Sequence, residues 1–362
     1  MHLRARLIFL ALVLTLALLA GLTGEPSAAG PGDESPDPFI AQLLAQVDTT
    51  TLTGYVADLS GERAVIIGGE EYTFETRYSY SEGIKKAAQY LHEHYDALGL
   101  DVAFHDYIHH DHIWRNVEAT LPGAGKPERI YIICAHVDSI SRHQPMTDAP
   151  GADDNASGTA AVMLAADILN GHQFEYTIRF VNFSGEEQGL HGSAAYAARS
   201  RAQGEDIAGV INLDMLGWDA TGGPDIDLHA GAETTSLALA HTFSETVTLY
   251  DLYLLPQIIG LGATRASDHS SFWDNGYAAI LAIEDYYPNR QDFNPYYHSG
   301  NDLLEHINTV YFTTLTQAVL ATLVTLAEPV LTPEPTPTAT ATPEPSYVSI
   351  FMPFVSAGAA KP

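Results

Sequence analysis

A three-layer α/β/α sandwich, built on a mostly parallel, mixed central sheet, is the fold class that this sequence of 362 residues predicts. The first observation behind it is a set of apolar runs that read as core strands: 129-RIYIICA-135, 176-YTIRFVNF-183, 208-AGVINLD-214 and 278-AAILAIE-284. They are nearly continuous in apolar residues, as in a sheet covered on both faces. The second is that helical stretches alternate with them, the pattern of parallel α/β folds.

Taken in order, the chain opens with Arg4 and Arg6, an apolar run from Leu7 to Ala20, and small residues in 27-SAAG-30. This is the layout of an export signal cleaved after Ala29, too short for a stable membrane span. Residues 37–329 then read as one domain. A helix is expected over 81-SEGIKKAAQYLHEHYDALG-99, with Ser81 as N-cap and Gly99 at its end. The strand-like 100-LDVAFHDY-107 follows. Further helices are expected at Ser157–Leu169, Ser193–Ala202 and Thr234–Thr246, and a long last one at Asp302–Leu326. Residues 330–345, rich in Thr and Pro, read as an extended linker, and 346–362 as a short apolar tail.

The chain carries 45 acids against 16 Lys and Arg, a formal net charge of −29. Such a surface repels nucleic acid and anionic membranes. A single cysteine, Cys134, rules out an intrachain disulfide, and its apolar setting in 130-IYIICA-135 reads as a buried, inert thiol. The composition fits a secreted or extracytoplasmic protein.

In parallel sheets, ligands bind at the carboxyl ends of the strands. There the sequence concentrates acids and histidines: His136 in AHVDS, Asp153 in PGADDNASG, Glu187 in FSGEEQG, Asp214 in NLDML and His298 in YYHSGND. Taken singly, each has a structural reading, since Asp153, Asp154 and Asn155 suit a turn and either histidine suits a satisfied polar position. Together they form a donor set of imidazoles and carboxylates for a hard-to-borderline cation, zinc first, with Co2+ or Mn2+ as substitutes. The 109-HHDH-112 cluster reads as a surface or cleft-rim loop, and Asp268 in 267-SDHSSFW-273 as a hydrogen-bonding residue near the cleft. The aromatic loop 286–297 is a candidate pocket wall.

The ordered motifs AHVDS, PGADDNASG, FSGEEQG, NLDM and YHSGND closely resemble those of the secreted bacterial, leucyl-type aminopeptidases with two co-catalytic zinc ions. Glutamate carboxypeptidases and glutaminyl cyclases belong to the same larger group. The resemblance covers most of residues 50–327 and implies a zinc-exopeptidase fold acting on peptide or protein N-termini. Residue by residue, it implies that Asp153 bridges two metals, with a cis peptide to Asp154. His136 and Asp214 complete one metal site, and Glu187 and His298 the other. It further implies that Asp138 accepts the second N–H of His136, that Glu186 is the general base working on a metal-bridged hydroxide, and that Tyr297 helps hold the oxyanion. The alternatives are a glutaminyl cyclase, a carboxypeptidase, or an inactive binding module on the same fold.

Overall fold

The computed structural model describes residues 35–286 and 292–331. The expected export signal, the tail and nearly all of the linker therefore lie outside the described residues. In chain order the elements are α1 Pro38–Leu44, α2 Thr49–Leu59, β1 Val65–Ile67, β2 Glu70–Tyr72, α3 Glu82–Ala97, β3 Asp101–His109, β4 His112–Leu121 and β5 Lys126–His136. There follow α4 Gly158–Leu169, β6 Tyr176–Phe183, α5 His191–Gln203, β7 Asp206–Leu213, β8 Asp225–His229 and α6 Thr234–Leu249. The last are β9 Leu255–Ile259, α7 His269–Asp274, β10 Ala279–Ile283 and α8 Thr309–Ala327.

The main sheet runs β3-β4-β6-β5-β7-β10-β8-β9. Its centre, β6-β5-β7-β10, is parallel, and antiparallel pairs at β4–β6 and β10–β8 make it mixed. The four predicted core strands are these four central strands. Alternation along β5 sends Ile130, Ile132 and Cys134 to one face and Ile133 and Ala135 to the other. The first face meets Tyr196 of α5 and Phe272 of α7, and the second meets α4 and α8. Cys134 is fully buried, and burial pushes its thiol well above the ordinary value.

The strands β1, β2, β4, β8 and β9 and the helices α1, α2 and α7 go beyond the elements expected from the sequence. The expected last helix is shorter at its start: α8 begins at Thr309, seven residues after the predicted Asp302, and Asn308 caps it by accepting from the Tyr311 N–H. Asp302 lies outside that helix and serves the site instead.

On the α5 face a semi-buried ion network ties the antiparallel edge to the core. Glu118 of β4 faces His105 at 3.2 Å and Arg179 at 3.6 Å, and it accepts the hydroxyl of Tyr196. Burial alone would raise the Glu118 carboxyl, but His105, Arg179 and Tyr196 bring it from 4.5 down to about 2. A depressed carboxyl stabilises the fold above its unfolded value and loses that contribution as pH falls through the folded one. The shift corresponds to roughly 3 kcal/mol. Glu118→Gln should therefore be less stable than wild type at pH 7, and the gap should close as pH approaches 2, as read from urea midpoints across that range.

Candidate metal centre

The strand ends supply the site. His136 is the last residue of β5, Glu186 and Glu187 follow β6, and Asp214 follows β7. The turn before α4 brings in Asp154, and the segment before Asp302 brings in His298. His136 Nε2 lies 3.2 Å from Asp154 Oδ1 and 3.4 Å from Asp214 Oδ1. His298 Nε2 lies 3.1 Å from Asp154 Oδ2 and 2.9 Å from Glu187 Oε2. Two donor groups result, His136–Asp154–Asp214 and Asp154–Glu187–His298, each with its donor atoms within 4.8 Å of one another. One carboxylate, that of Asp154, belongs to both.

Asp153, the expected bridge, is not at that position. Its Oδ1 accepts the Gly217 N–H at 2.7 Å and its Oδ2 accepts the Asn294 amide at 2.9 Å, which turns it into the protein interior. The cis peptide likewise lies one residue later, at Asp154–Asn155. The local reason is a wide turn over Ala152–Ser157, in which Asp302 grips the N–H groups of Asp153 and Asp154 with its two oxygens, each at 3.0 Å. Asn155 adds bonds to Leu213 O and Gly158 N. Adjacent acids differ in which way the turn points them, and nothing in the residue types told them apart.

Asp138 also differs from expectation. The Nδ1 of His136 meets the backbone carbonyl of Asp138 at 3.0 Å, while the Asp138 carboxylate is 3.7 Å away. That carboxylate accepts the N–H groups of Glu186 and Glu187, both at 3.2 Å, and the Ser79 hydroxyl at 2.8 Å. It braces the paired-glutamate turn rather than the imidazole. Asp214 is held in turn by the Ser267 hydroxyl, 2.6 Å from its Oδ2, which leaves Oδ1 toward His136. Asn212 donates to Ser267 at 2.8 Å. Ser267 was within the motif read around Asp268, but its role depends on a contact 53 residues away along the chain.

Electrostatics explain why the donors converge. Burial alone would lower the His136 imidazole, but Asp214, Glu186 and Asp154 raise it well above its ordinary value. Burial likewise works against His298, which Asp154 and Glu187 raise to about 10. The two histidines hold Asp154 below the usual carboxylate range despite its burial. Burial lifts Glu187 to about 8, with the Asp154 charge adding to it. Glu186 is pushed well above its ordinary value, by burial first, and Glu187, Asp214 and Asp268 add to this against His136. Glu187 Oε1 is buried with no hydrogen-bond donor, and Asp154 Oδ2 meets only the His298 imidazole at 3.1 Å. Buried acceptors short of donors, facing imidazoles and sharing one carboxylate, fit divalent cations.

The cleft over these groups holds about 50 Å³. Beyond the donors it is lined by Met215, Ala266, Ile283, Tyr286, Phe293 and Tyr297, an apolar wall beside a charged floor. Tyr297 stacks on the His298 ring at 3.6 Å. Of the aromatic loop, residues 287–291 lie outside the described residues.

Asn294 links this wall to the floor. Besides its amide bond to Asp153, its N–H donates to Glu284 at 2.8 Å and its Oδ1 accepts the Tyr296 N–H. Glu284 is fully buried and raised well above its ordinary value, by burial and by Asp153. Neither Asn294 nor Glu284 was among the sequence candidates.

The architecture and donor set define a metallohydrolase of the α/β/α type. The sequence profile of peptidase family M28 matches residues 116–323, so the chain belongs to that family. It is 29% identical over 288 residues to leucine aminopeptidase 1 of Trichophyton equinum, covering 75% of each chain. In fold it resembles BSAP, a zinc aminopeptidase from Bacillus subtilis, with a TM-score of 0.63 at 16% identity, over 78% of this chain and 96% of that one. It also resembles the glutaminyl cyclase of Porphyromonas gingivalis, with a TM-score of 0.61 at 18% identity, over 77% and 98%.

Asn294→Ala should leave the buried Asp153 carboxylate short of a donor and cost about 1–3 kcal/mol of stability. Chemical denaturation of the variant beside wild type measures this.

Proposed function

We propose that this chain is an exported aminopeptidase that holds two zinc ions and removes N-terminal residues from peptides. The observation that carries the reading is the sharing of Asp154 between two complete three-residue donor groups, with Glu186 lining the same cleft. One cation would be held by His136, Asp154 and Asp214, the other by Asp154, Glu187 and His298. Bound zinc supplies Lewis acidity, lowering the pKa of water and polarising a carbonyl. Co2+ or Mn2+ suit the same donors.

Glu186 is the proton carrier. Its carboxylate lines the cleft beside the donor groups and can take a proton from an attacking water and return it to the departing amine. Its N–H is pinned to Asp138, so the base stays fixed against the cleft. The apolar wall of Met215, Ile283 and Phe293 would receive an apolar N-terminal side chain. The Tyr297 side chain lines the cleft where an oxyanion would develop. Similarity over three-quarters of a curated leucine aminopeptidase supports this reading over the cyclase, whose likeness extends to the fold alone. The basic, apolar and small-residue order of the first 29 residues supports export.

Glu186→Gln should keep its zinc by elemental analysis while hydrolysis of leucyl-p-nitroanilide falls by about 10²–10⁴. Retained turnover would remove the base assignment. Asp154→Asn should lose metal and activity together, whereas Asp153→Asn should keep its metal. Equal metal loss in both would overturn the assignment of the bridge. In the wild type, a chelator should stop hydrolysis of free-amine substrates, and N-acetylated ones should be inert throughout.

A further inference from the structure

Much of the apolar wall of the cleft stands on loops. Phe293 and Tyr297 come from the segment after β10, and Met215 from the segment after β7. A side chain on a loop is placed only as well as the backbone under it is held.

Two carboxylates hold these two segments together. Glu284, at depth, accepts the Trp218 N–H at 3.0 Å and the Asn294 N–H at 2.8 Å. Asp292, partly exposed nearer the rim, accepts the Trp218 indole N–H on one oxygen at 3.0 Å. Its other oxygen takes the N–H groups of Ala220 and Thr221, at 3.0 and 2.8 Å. Burial alone would raise this carboxyl, but Thr221, Trp218 and Ala220 bring it below its ordinary value.

The segment that Asp292 grips is itself anchored to α8. Asn308, the cap of that helix, donates its amide to the Asp219 carbonyl at 3.1 Å and its N–H to the Gly217 carbonyl at 2.8 Å. A line of bonds therefore runs from α8 through residues 217–221 to Asp292, and the next residue is Phe293. The Phe293 ring meets Tyr286 and Tyr297 edge-on, with centres 5.7 and 5.2 Å apart. Fixing Phe293 thus fixes its aromatic neighbours in the wall. Among the described residues, none of the Asp292 hydrogen bonds reaches His136, Asp154, Glu187, Asp214 or His298.

We propose that Asp292 is a positioning residue for side-chain selection. By clamping residues 218–221 it holds Phe293 against the cleft, and so sets the preference for a branched apolar side chain over a methyl group. That this side chain belongs to a peptide N-terminus rests on the aminopeptidase reading, but the preference itself does not. The clamp acts on the wall and leaves the cation donors and Glu186 to their own supports.

Titration of L-leucine hydroxamate and L-alanine hydroxamate into the zinc-loaded full chain tests this without turnover. The two ligands share one cation-binding group and differ only in the side chain. Wild type should bind the leucine compound at least about tenfold more tightly, as extra methylenes in an apolar pocket allow. Asp292→Ala should cut that ratio at least about fivefold. Asp292→Asn, which keeps one acceptor oxygen, should fall between the two. Trp218→Phe removes only the indole donor and should lower the ratio in the same direction, should Asp292→Ala fail to fold. Phe293→Ala should cut the ratio as far as Asp292→Ala, and the double variant should go no further, since both act at one place. A wild type without preference, a ratio unchanged in the Asp292 and Trp218 variants, or equal losses for both ligands would overturn the proposal. So would a further fall in the double variant. Leucyl-p-nitroanilide turnover by wild type, measured on the same samples, reads the aminopeptidase proposal separately. A chain that shows the Asp292-dependent ratio yet hydrolyses nothing would remove that proposal and leave this one standing.

Discussion

Asp138, Asp153, Asp154, Asp214, Asp268, Glu284 and Asp302 crowd one end of the sheet, and all are buried. Carboxylates in such a place either take up protons or find compensating charge and donors. The structure does both. Main-chain N–H groups serve Asp138, Asp153, Glu284 and Asp302, while the imidazoles of His136 and His298 serve Asp154. Burial raises Asp302 to about 8 and Asp268 to about 7. Arg77, fully buried, donates to the carbonyls of Leu59, Val137, Pro150 and Gly151. Burial lowers it only to about 10, with Asp302 and Asp138 opposing the fall, so it remains a cation beneath the acids.

This concentration of charge depends on the parallel centre of the sheet. The strands β6, β5 and β7 run the same way, so their following loops emerge side by side. His136, Glu186, Glu187 and Asp214 therefore converge although 78 residues separate the first from the last. The wide turn before α4 lies against Leu213 O at the end of β7, through Asn155. Strand ends set His136, Glu187 and Asp214, while the turn before α4 and the segment before Asp302 add Asp154 and His298.

The central strands were legible because they are largely buried on both faces and carry nearly continuous apolar runs. β4, with Arg115 and Glu118 among its residues, and the short β8 and β9 lack that signature. At the site, the motifs marked the right loops, and His136, Glu187, Asp214 and His298 lie together. What they could not convey was side-chain direction within a turn. Asp153 and Asp154 share chemistry and neighbourhood, and only the backbone path over Ala152–Ser157 separates them. The same limit applied to Asp138, whose carboxylate found nearby N–H groups in place of the imidazole. Asn294 and Glu284 were invisible because their partners lie far along the chain.

Asp138 gives the paired glutamates a property that neither has alone. One carboxylate holds both of their N–H groups, so the proposed proton carrier and its neighbouring ligand are mechanically a single part. Neither can drift without dragging the other. Thermal wear at this turn would therefore register as simultaneous failure of proton transfer and of cation retention, rather than as a gradual loss of one followed by the other.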